Sequence, residues 1–571
     1  MVLLALLGLG GWLAVTGYNA KGELEQARTQ ALGARTAVVA GDPTAAHALT
    51  VQAASASAAA RGNTSTLPWH LISAIPWVGQ PFDTVRQISA AVDDLAKQVL
   101  LPAADVAQAL SPSKLRGSGG QIDIAALNKA APTLRQASDA ATDLQGRVDQ
   151  IPSGGYVGAI EDARVTLQKQ TGDLTSLLQN TSTAATLLPS MLGGQGARSY
   201  FVAFQTNAEA RGTGGLVGAF GILRADGGRT KLDDQAANTS LKDGTRGSVN
   251  PGPDFQNLYG RYDSATRWIN SNLTADFPTV GSIWTSLWAQ QSGQQLDGAI
   301  ATDPVALSYL LGATGPVTLA DGQVVSADNV VQLTEADVYV RFADNGQRKA
   351  YLQAIASAVL GRVASGGGGD TTAVVKALGR AAGEGRLAVW SSHAEEQAVL
   401  TQTPLARQVP DDPAPYAGLS VNNSGNGKLD YYLGRGLSYR AGTCDGPTRS
   451  STVTATLTSS APAAGLPGYV TIQGTGSIGP PGTNRSNIAI YATQGALLTA
   501  ATLNGQPVSA SVGNERGHPV FTFDVVLPPG ATVVLVLDLV EPTAPGPVRM
   551  PVQPLVQPMT VESTVPVCRA T

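Results

Sequence analysis

The stretch from about Asn207 to Leu360 constrains the fold of this chain more than any other. Near its start, two apolar strand-like runs, Ser199–Gln205 and Leu216–Ala225, flank a Gly-rich turn. Further on, an Asp-Pro pair at Asp303 begins a helix well, because Asp accepts hydrogen bonds from free N–H groups and Pro fits the first turn. Strands that alternate with helices in this way predict an α/β unit.

The composition narrows the class of protein. A chain of 571 residues is too long for one domain and predicts roughly three. Its net charge of −4 provides no basic field, so nucleic acid is not an expected partner. Four His and two Cys are too few for an ordinary zinc site, so any metal would be a hard cation held by oxygen ligands.

The N-terminus suggests export. Val2–Val15 is almost wholly apolar, and the uncharged stretch extends to about Ala20, which is just long enough to span a bilayer. A cleaved signal peptide is the alternative, but Tyr18 lies where a small residue would be needed. We therefore predict an uncleaved transmembrane anchor over residues 1–20. The protein would be single-pass in the cell membrane, with the bulk of the chain extracytoplasmic.

The two cysteines lie in the same C-terminal region. Cys444 and Cys568 both belong to the β-rich C-terminal sequence, and one pair in an exported domain predicts a disulfide that closes a long loop and is worth roughly 2–4 kcal/mol. Two buried free thiols are the alternative.

The remaining chain divides by composition into a multidomain α+β protein. Residues 21–195 are rich in Ala, Leu and Gln with apolar residues at three-to-four spacing, which predicts a helical stalk or short bundle. Residues 196–403 hold the α/β unit. Residues 404–571 alternate apolar and polar residues between turn-rich stretches, for example in Leu429–Leu433 and Thr452–Thr458, which predicts an antiparallel β-sandwich.

One segment of the helical region is unusually aromatic. Leu67–Phe82 contains Trp69 and Trp77 together with three prolines. It is either an interfacial element that rests on a membrane, where Trp anchors well, or a helix corner that packs on its neighbours.

Polar residues at the ends of the predicted strands are candidates for an anion site. Glu209 and Arg211 follow the first strand, and Gly212, Gly214 and Gly215 would let a backbone approach a ligand closely. The alternative is a tight connection between two strands.

A second basic cluster lies further along the chain. Arg341 follows an apolar run, and Arg348 with Lys349 begins the next helix. Positive charge at a helix N-terminus opposes the macrodipole, which is easier to understand if an anion binds there. Solvated surface side chains are the alternative.

Three passages of the α/β unit resemble the LytR–CpsA–Psr family of membrane-anchored phosphotransferases, namely LDGAIATDPVALSYLLGATGPVTL, ADVYVRF and NGQRKAYLQAI. These enzymes move polymers from polyprenyl-pyrophosphate carriers to the cell wall. The resemblance implies that Arg211, Arg341, Arg348 and Lys349 bind a pyrophosphate.

The same resemblance implies a magnesium ion, for which Glu209, Asp233 and Asp234 are the candidate ligands. This chain departs from the family because no Asp stands two residues after Arg211, and Lys349 replaces an arginine.

The chain as a whole more closely resembles an uncharacterised actinobacterial family of single-span surface proteins, domain of unknown function 4012, through NAEARGTGG, ADFPTV and LDGAIATDPVALSYLL. We therefore expect a membrane-anchored envelope protein that binds a lipid-linked glycan or wall polymer. Whether it transfers that polymer to the cell wall as a magnesium-dependent phosphotransferase stays open. The alternative is a non-catalytic structural or partner-binding protein on a degenerate scaffold of this type.

Overall fold

The computed structural model describes residues 2–39, 42–107, 121–245, 249–364, 371–471 and 479–568. The chain forms two compact units. The first comprises Met1–Ala197 with Ala225–Thr230, and the second comprises Arg198–Arg224 with Lys231–Thr571. The predicted boundary between residues 403 and 404 falls inside the second unit.

The first unit is helical. Its helices are α1 (Val2–Val39), α2 (Pro43–Thr64), α3 (Leu67–Ser73), α4 (Gln80–Asp94), α5 (Leu101–Ala107), α6 (Ile124–Asp149) and α7 (Gly158–Met191), with a π-helical segment at Leu95–Leu100 between α4 and α5. Helices α1 and α2 pack through buried alanines that recur at intervals of seven residues, which are Ala20, Ala27 and Ala34 on α1 and Ala46, Ala53 and Ala60 on α2. Small side chains at this spacing let two helices approach closely along one seam.

The prediction of a transmembrane anchor over residues 1–20 is wrong, and so is the single-pass location in the cell membrane. Within the described ranges, no helix combines the length and the apolarity needed to cross a bilayer. Helix α1 continues without a break from its apolar start through Lys21 and Glu25 to Val39. Part of the predicted span is also used for packing, because the buried Thr16 accepts a hydrogen bond of 2.9 Å from the indole N–H of Trp69.

The second unit begins with a five-stranded sheet in the order β3-β2-β1-β4-β7. Its strands are β1 (Arg198–Arg211), β2 (Gly214–Asp226), β3 (Arg229–Ala237), β4 (Gly298–Thr302) and β7 (Leu387–Ser391), and a small hairpin joins β5 (Val317–Thr318) to β6 (Val324–Val325). Strand β1 pairs in parallel with β4, and β4 pairs antiparallel with β7.

Helices lie between and after these strands along the chain. They are α8 (Pro253–Tyr259), α9 (Phe277–Ser292), α10 (Pro304–Thr314), α11 (Val330–Gln332), α12 (Val338–Arg341), α13 (Asn345–Ala364), α14 (Thr371–Gly383) and α15 (Ala394–Thr401), with a π-helical turn at Leu333–Asp337. Asp303 caps α10 by accepting the N–H of Ala306 at 2.8 Å. The core beside the sheet is aromatic, with Phe201 and Phe220 stacked at 5.4 Å and Trp284 fully buried next to them.

The C-terminal part of the second unit consists of two facing sheets. Strands β13-β12-β16-β10-β9-β17 form one sheet and β14-β15-β11-β8 the other. Their bounds are β8 (Ala417–Asn423), β9 (Leu433–Ala441), β10 (Thr448–Ser459), β11 (Asn484–Ala492), β12 (Leu497–Leu503), β13 (Gln506–Pro507), β14 (Ser511–Glu515), β15 (His518–Leu527), β16 (Thr532–Pro542) and β17 (Met559–Thr564). Buried residues from both sheets, such as Val453 and Phe523, share one core.

The mixed α+β, multidomain class with several sheets is confirmed. The disulfide is also confirmed, because Cys444 and Cys568 are bonded with their Cα atoms 5.7 Å apart. The strand predicted at Leu429–Leu433 is wrong, since Leu429–Tyr432 is a 3-10 helix and β9 starts only at Leu433. This turn places the buried carboxylate of Asp430 next to the end of β1.

Candidate functional site

Strand β1 extends well beyond its neighbour β4. The two strands pair only from Tyr200 to Phe204 on β1, so the buried amides further along need other acceptors. Side chains supply them at every second residue, which is the spacing at which successive N–H groups point to the same side of a strand. The amide of Ala208 donates to Glu335 at 2.7 Å, that of Ala210 to Asp430 at 2.8 Å, and that of Gly212 to Asn422 at 2.9 Å.

The predicted site residues Glu209 and Arg211 form a buried ion network with Lys428 of the β-rich part. One carboxylate oxygen of Glu209 lies 3.0 Å from Nη2 of Arg211, and the other accepts a hydrogen bond from the ammonium group of Lys428. Each of these three side chains is less than one-tenth exposed. Burial alone would raise the pKa of Glu209, but the charges of Lys428 and Arg211 outweigh it and hold that pKa below its ordinary value.

The remaining donors of Arg211 are also used inside the protein. They bind the backbone oxygens of Ile269 at 3.1 Å, Ala210 at 2.9 Å and Asn423 at 3.3 Å. The guanidinium therefore joins β1, the loop before α9 and the end of β8. Together with the amide contacts, it fixes the α/β part and the β-rich part of the second unit to each other.

The Gly-rich turn after Arg211 is a close-packed connection. A Cβ atom at Gly212 would overlap the carbonyl oxygens of Leu273 and Thr274, and one at Gly215 would overlap the backbone of Thr206. Glycine is required there because backbone approaches backbone, within the protein itself.

Arg341 lies apart from this network and is partly exposed. Its guanidinium pairs with Asp321 at 2.9 Å and donates to the hydroxyl of Tyr351 at 3.1 Å. It also lies over the rings of Tyr351 and Phe342, at 4.8 Å and 5.2 Å from their centroids. The structure does not bring it together with Arg211.

Arg348 and Lys428 lie over the ring of Tyr469, and Lys349 is close enough to both for their charges to act on it. The Arg348 guanidinium lies 4.0 Å and the Lys428 ammonium 5.6 Å from the centroid of that ring. Arg348 is buried and donates to two backbone oxygens at 2.8 Å, while Lys349 bonds to Asn238. Burial lowers the pKa of Lys349, and the charges of Lys428 and Arg348 lower it further. We call Arg348, Lys349 and Lys428 the cation cluster.

The three proposed magnesium ligands are not brought together. Asp233 and Asp234 lie on β3, which β2 separates from β1, and they pair with Arg224 at 3.5 Å and 3.1 Å. Both oxygens of Glu209 are already engaged by cationic side chains. Over the residues that the structure describes, no group of three His, Cys, Asp or Glu side chains is placed to hold a metal ion. These residues do not fit a magnesium ion.

A polar cluster at the start of β1 was not predicted. His393 Nε2 lies 2.8 Å from Asp297 Oδ1, and Arg198 lies 3.1 Å from the same oxygen. The nearby hydroxyl of Ser391 donates to Glu396 at 2.6 Å. These side chains join the start of β1 to β7 and α15. Their spacing of about 100 residues in sequence offered no signal of this contact.

The fold and this network define a mixed α+β protein whose charged strand end is buried between an α/β part and a β-rich part. Residues 195–339 match the family described as "Protein of unknown function (DUF4012)". The prediction that the chain carries a domain of unknown function is confirmed. The matched segment includes Glu209, Arg211 and Glu335, and ends before Arg341.

No curated protein matches the chain. A solved Legionella pneumophila structure, described as a "putative nutrient binding protein", shares 10% sequence identity with it. The match covers 24% of this chain and 48% of the Legionella chain, so it spans about half of that protein's length, and its TM-score is 0.16. A TM-score this low does not indicate a common fold, and nothing about nutrient binding is carried over from it.

Proposed function

We propose that this chain is a non-catalytic, partner-binding protein, in which a degenerate scaffold of the LytR–CpsA–Psr type has become a rigid support. The observation that carries this proposal is the ion network of Glu209, Arg211 and Lys428 inside the second unit. The side chains that a phosphotransferase of that type would use for metal and pyrophosphate here bind one another and join two parts of the fold.

The energetics favour this structural role. A ligand that recruited Arg211 would have to displace a carboxylate and three backbone oxygens. A buried group that loses a hydrogen-bond partner costs about 1–3 kcal/mol, and more when it is charged. A pyrophosphate would therefore have to offset several such losses before it gained any net affinity.

A second candidate function rests on the cation cluster. Arg348 and Lys428 converge on Tyr469, and burial together with the charges of Lys428 and Arg348 lowers the pKa of Lys349. An anionic group such as the phosphate of a lipid-linked glycan would relieve the repulsion among these charges. In this form the protein binds an envelope glycan or its carrier without transferring it.

One experiment separates these functions from each other and from catalysis. The full chain is incubated with a short-chain polyprenyl pyrophosphate, with and without magnesium, and both binding and phosphate release are measured. The same measurements are made on Lys349→Ala and on the control Lys376→Ala, which removes an exposed lysine of α14.

We expect no magnesium-dependent phosphate release, and such release would refute the proposal. Binding that is lost in Lys349→Ala but retained in Lys376→Ala would support the second candidate. If all three proteins fail to bind, or bind equally weakly, the cation cluster is structural and only the partner-binding role remains.

A further inference from the structure

The aromatic segment Leu67–Phe82 of the first unit contains two tryptophans that differ in solvent exposure. Trp69 is only 3% exposed, packs edge-on against Phe82 at 5.4 Å, and donates its indole N–H to Thr16. Trp77 is 90% exposed. Trp69 thus forms the packed helix corner that was one of the two sequence-based alternatives for this segment, whereas Trp77 projects from that corner.

Trp77 belongs to a larger apolar surface, which we call the apolar tip. Leu67, Leu71 and Ile75 follow at spacings of four residues along and just beyond α3, so they share one side of it. Each of these three is at least 49% exposed, and Val78 is 47% exposed. Tyr156, from the loop before α7, is 69% exposed and donates its hydroxyl to the backbone oxygen of Val78 at 3.3 Å.

The loop that carries Trp77 is held by a backbone hydrogen bond and by close packing. The amide of Gly79 donates to Ile75 O at 2.8 Å, and a Cβ atom at Gly79 would overlap the carbonyl oxygens of Ile72 and Ser73. Within this closed loop Trp77 has φ +71, the left-handed region that disfavours residues with a Cβ. A fold that holds a bulky residue in that conformation and points it outward stores strain at a position of functional interest.

Charge and residue type indicate what covers the tip. Residues 62–82 contain no Asp, Glu, Lys or Arg, so this segment offers no such charge with which to select a charged partner. Contiguous exposed apolar side chains mark either a protein or a membrane interaction site. The exposed side chains of the tip are aliphatic apart from one Trp and one Tyr, which are the residue types that concentrate at the membrane–water interface.

We infer that the apolar tip inserts into the interfacial region of a lipid bilayer. Trp and Tyr favour this region because their rings are apolar while their N–H and O–H groups stay hydrated. Aliphatic side chains around them supply the apolar contact. Insertion of this kind lays a few side chains into one leaflet and requires no membrane-spanning helix.

The test is flotation of the full chain with neutral phosphatidylcholine vesicles. The variant Trp77→Asn removes the ring, and Asn accepts the left-handed backbone better than most residues do, so folding is preserved. The matched control is Leu497→Asn, which removes an apolar residue that is 67% exposed on β12 of the second unit. We expect the partition coefficient to fall about tenfold in Trp77→Asn and to stay at the wild-type value in the control.

Binding to uncharged vesicles should also persist at high salt, because no ion pairing is involved. The inference is overturned if the wild-type chain does not float, if both variants lose binding equally, or if binding disappears as salt is raised. It is also overturned if the chain self-associates without lipid and Trp77→Asn abolishes that association, since the tip would then be an interface between copies.

Discussion

Replacing Glu209 with glutamine removes the only acidic member of the ion network and leaves Arg211 and Lys428 buried without their carboxylate. Breaking a buried ion pair by removing one partner costs about 3–5 kcal/mol, because the remaining charge is uncompensated. Here two charges lose their partner, so we expect Glu209→Gln to lower the free energy of unfolding by about 5 kcal/mol, the top of that range. Lys428→Met alone should cost less, about 2–3 kcal/mol, because Glu209 keeps its 3.0 Å pair with Arg211.

The double variant gives the sharper result. In Glu209→Gln/Lys428→Met only Arg211 remains unpaired, so the second substitution should restore about 2 kcal/mol of the loss caused by the first. Two destabilising changes would thus partly cancel. Urea unfolding followed by tryptophan fluorescence measures the free energies, and hydrogen exchange over Arg198–Arg211 reports locally on β1. The control Glu395→Gln, on the exposed side of α15, should stay within about 0.5 kcal/mol of wild type.

The network argument fails if Glu209→Gln costs less than about 1 kcal/mol, which is the value of an exposed pair. It also fails if Lys428→Met adds to the loss instead of reversing part of it. Either result would mean that water or another group compensates Arg211 and Lys428, and that the ion network does not hold the two parts of the second unit together.

Three further predictions concern other parts of the fold. Burial raises the pKa of Glu335 to about 8. The unfolded chain releases this proton from about pH 4.5 upward, whereas the folded chain keeps it until about pH 8. The free energy of unfolding should therefore fall as the pH rises from about 4.5 to 8. Glu335→Gln should remove up to about 5 kcal/mol of this loss. The urea midpoint would then depend less steeply on pH than in the wild type, and parallel curves for the two proteins would contradict this prediction. Reduction of the disulfide, which closes a separation of 124 residues, should lower stability by roughly 4–5 kcal/mol, and an unchanged melting temperature in dithiothreitol would contradict this. Gly212→Ala should lower the free energy of unfolding by about 3 kcal/mol, because the added Cβ overlaps the carbonyl oxygens of Leu273 and Thr274. The control Gly361→Ala, in open space on α13, should be neutral or stabilising in thermal unfolding. Equal effects of the two substitutions would refute the close-packing argument.

Local signals predicted the parts of this fold that depend on neighbouring residues. The Asp303 cap and the two strands that flank the Gly-rich turn each follow from a few adjacent residues, and each is present. The disulfide was predictable because only two cysteines exist and both lie in the β-rich region. These features need no knowledge of distant parts of the chain.

The prediction of a transmembrane anchor was wrong because it counted apolar residues and took no account of the side chains that they pack against. Gly17 and Thr16 interrupt the apolar stretch, and both face Trp69. The alanine repeat at intervals of seven residues in α1 and α2 was visible in the sequence, and it marks a helix pair better than the apolar count marks a span.

The candidate site shows why charged residues in a strand are ambiguous. Glu209 and Arg211 alternate with Ala208 and Ala210, which is the pattern of a strand with one polar face, and a polar face is ordinarily open to water or to a ligand. What decides the outcome is Lys428, which is 219 residues away in sequence and closes that face. The sequence around Lys428 also carried a signal. In KLDYYL a Lys and an Asp stand beside apolar residues, and such charged side chains can be buried only if a carboxylate pairs with the Lys and hydrogen-bond donors meet the Asp. Two segments that each carry buried charge are therefore best interpreted together, since the protein's interior has to neutralise both.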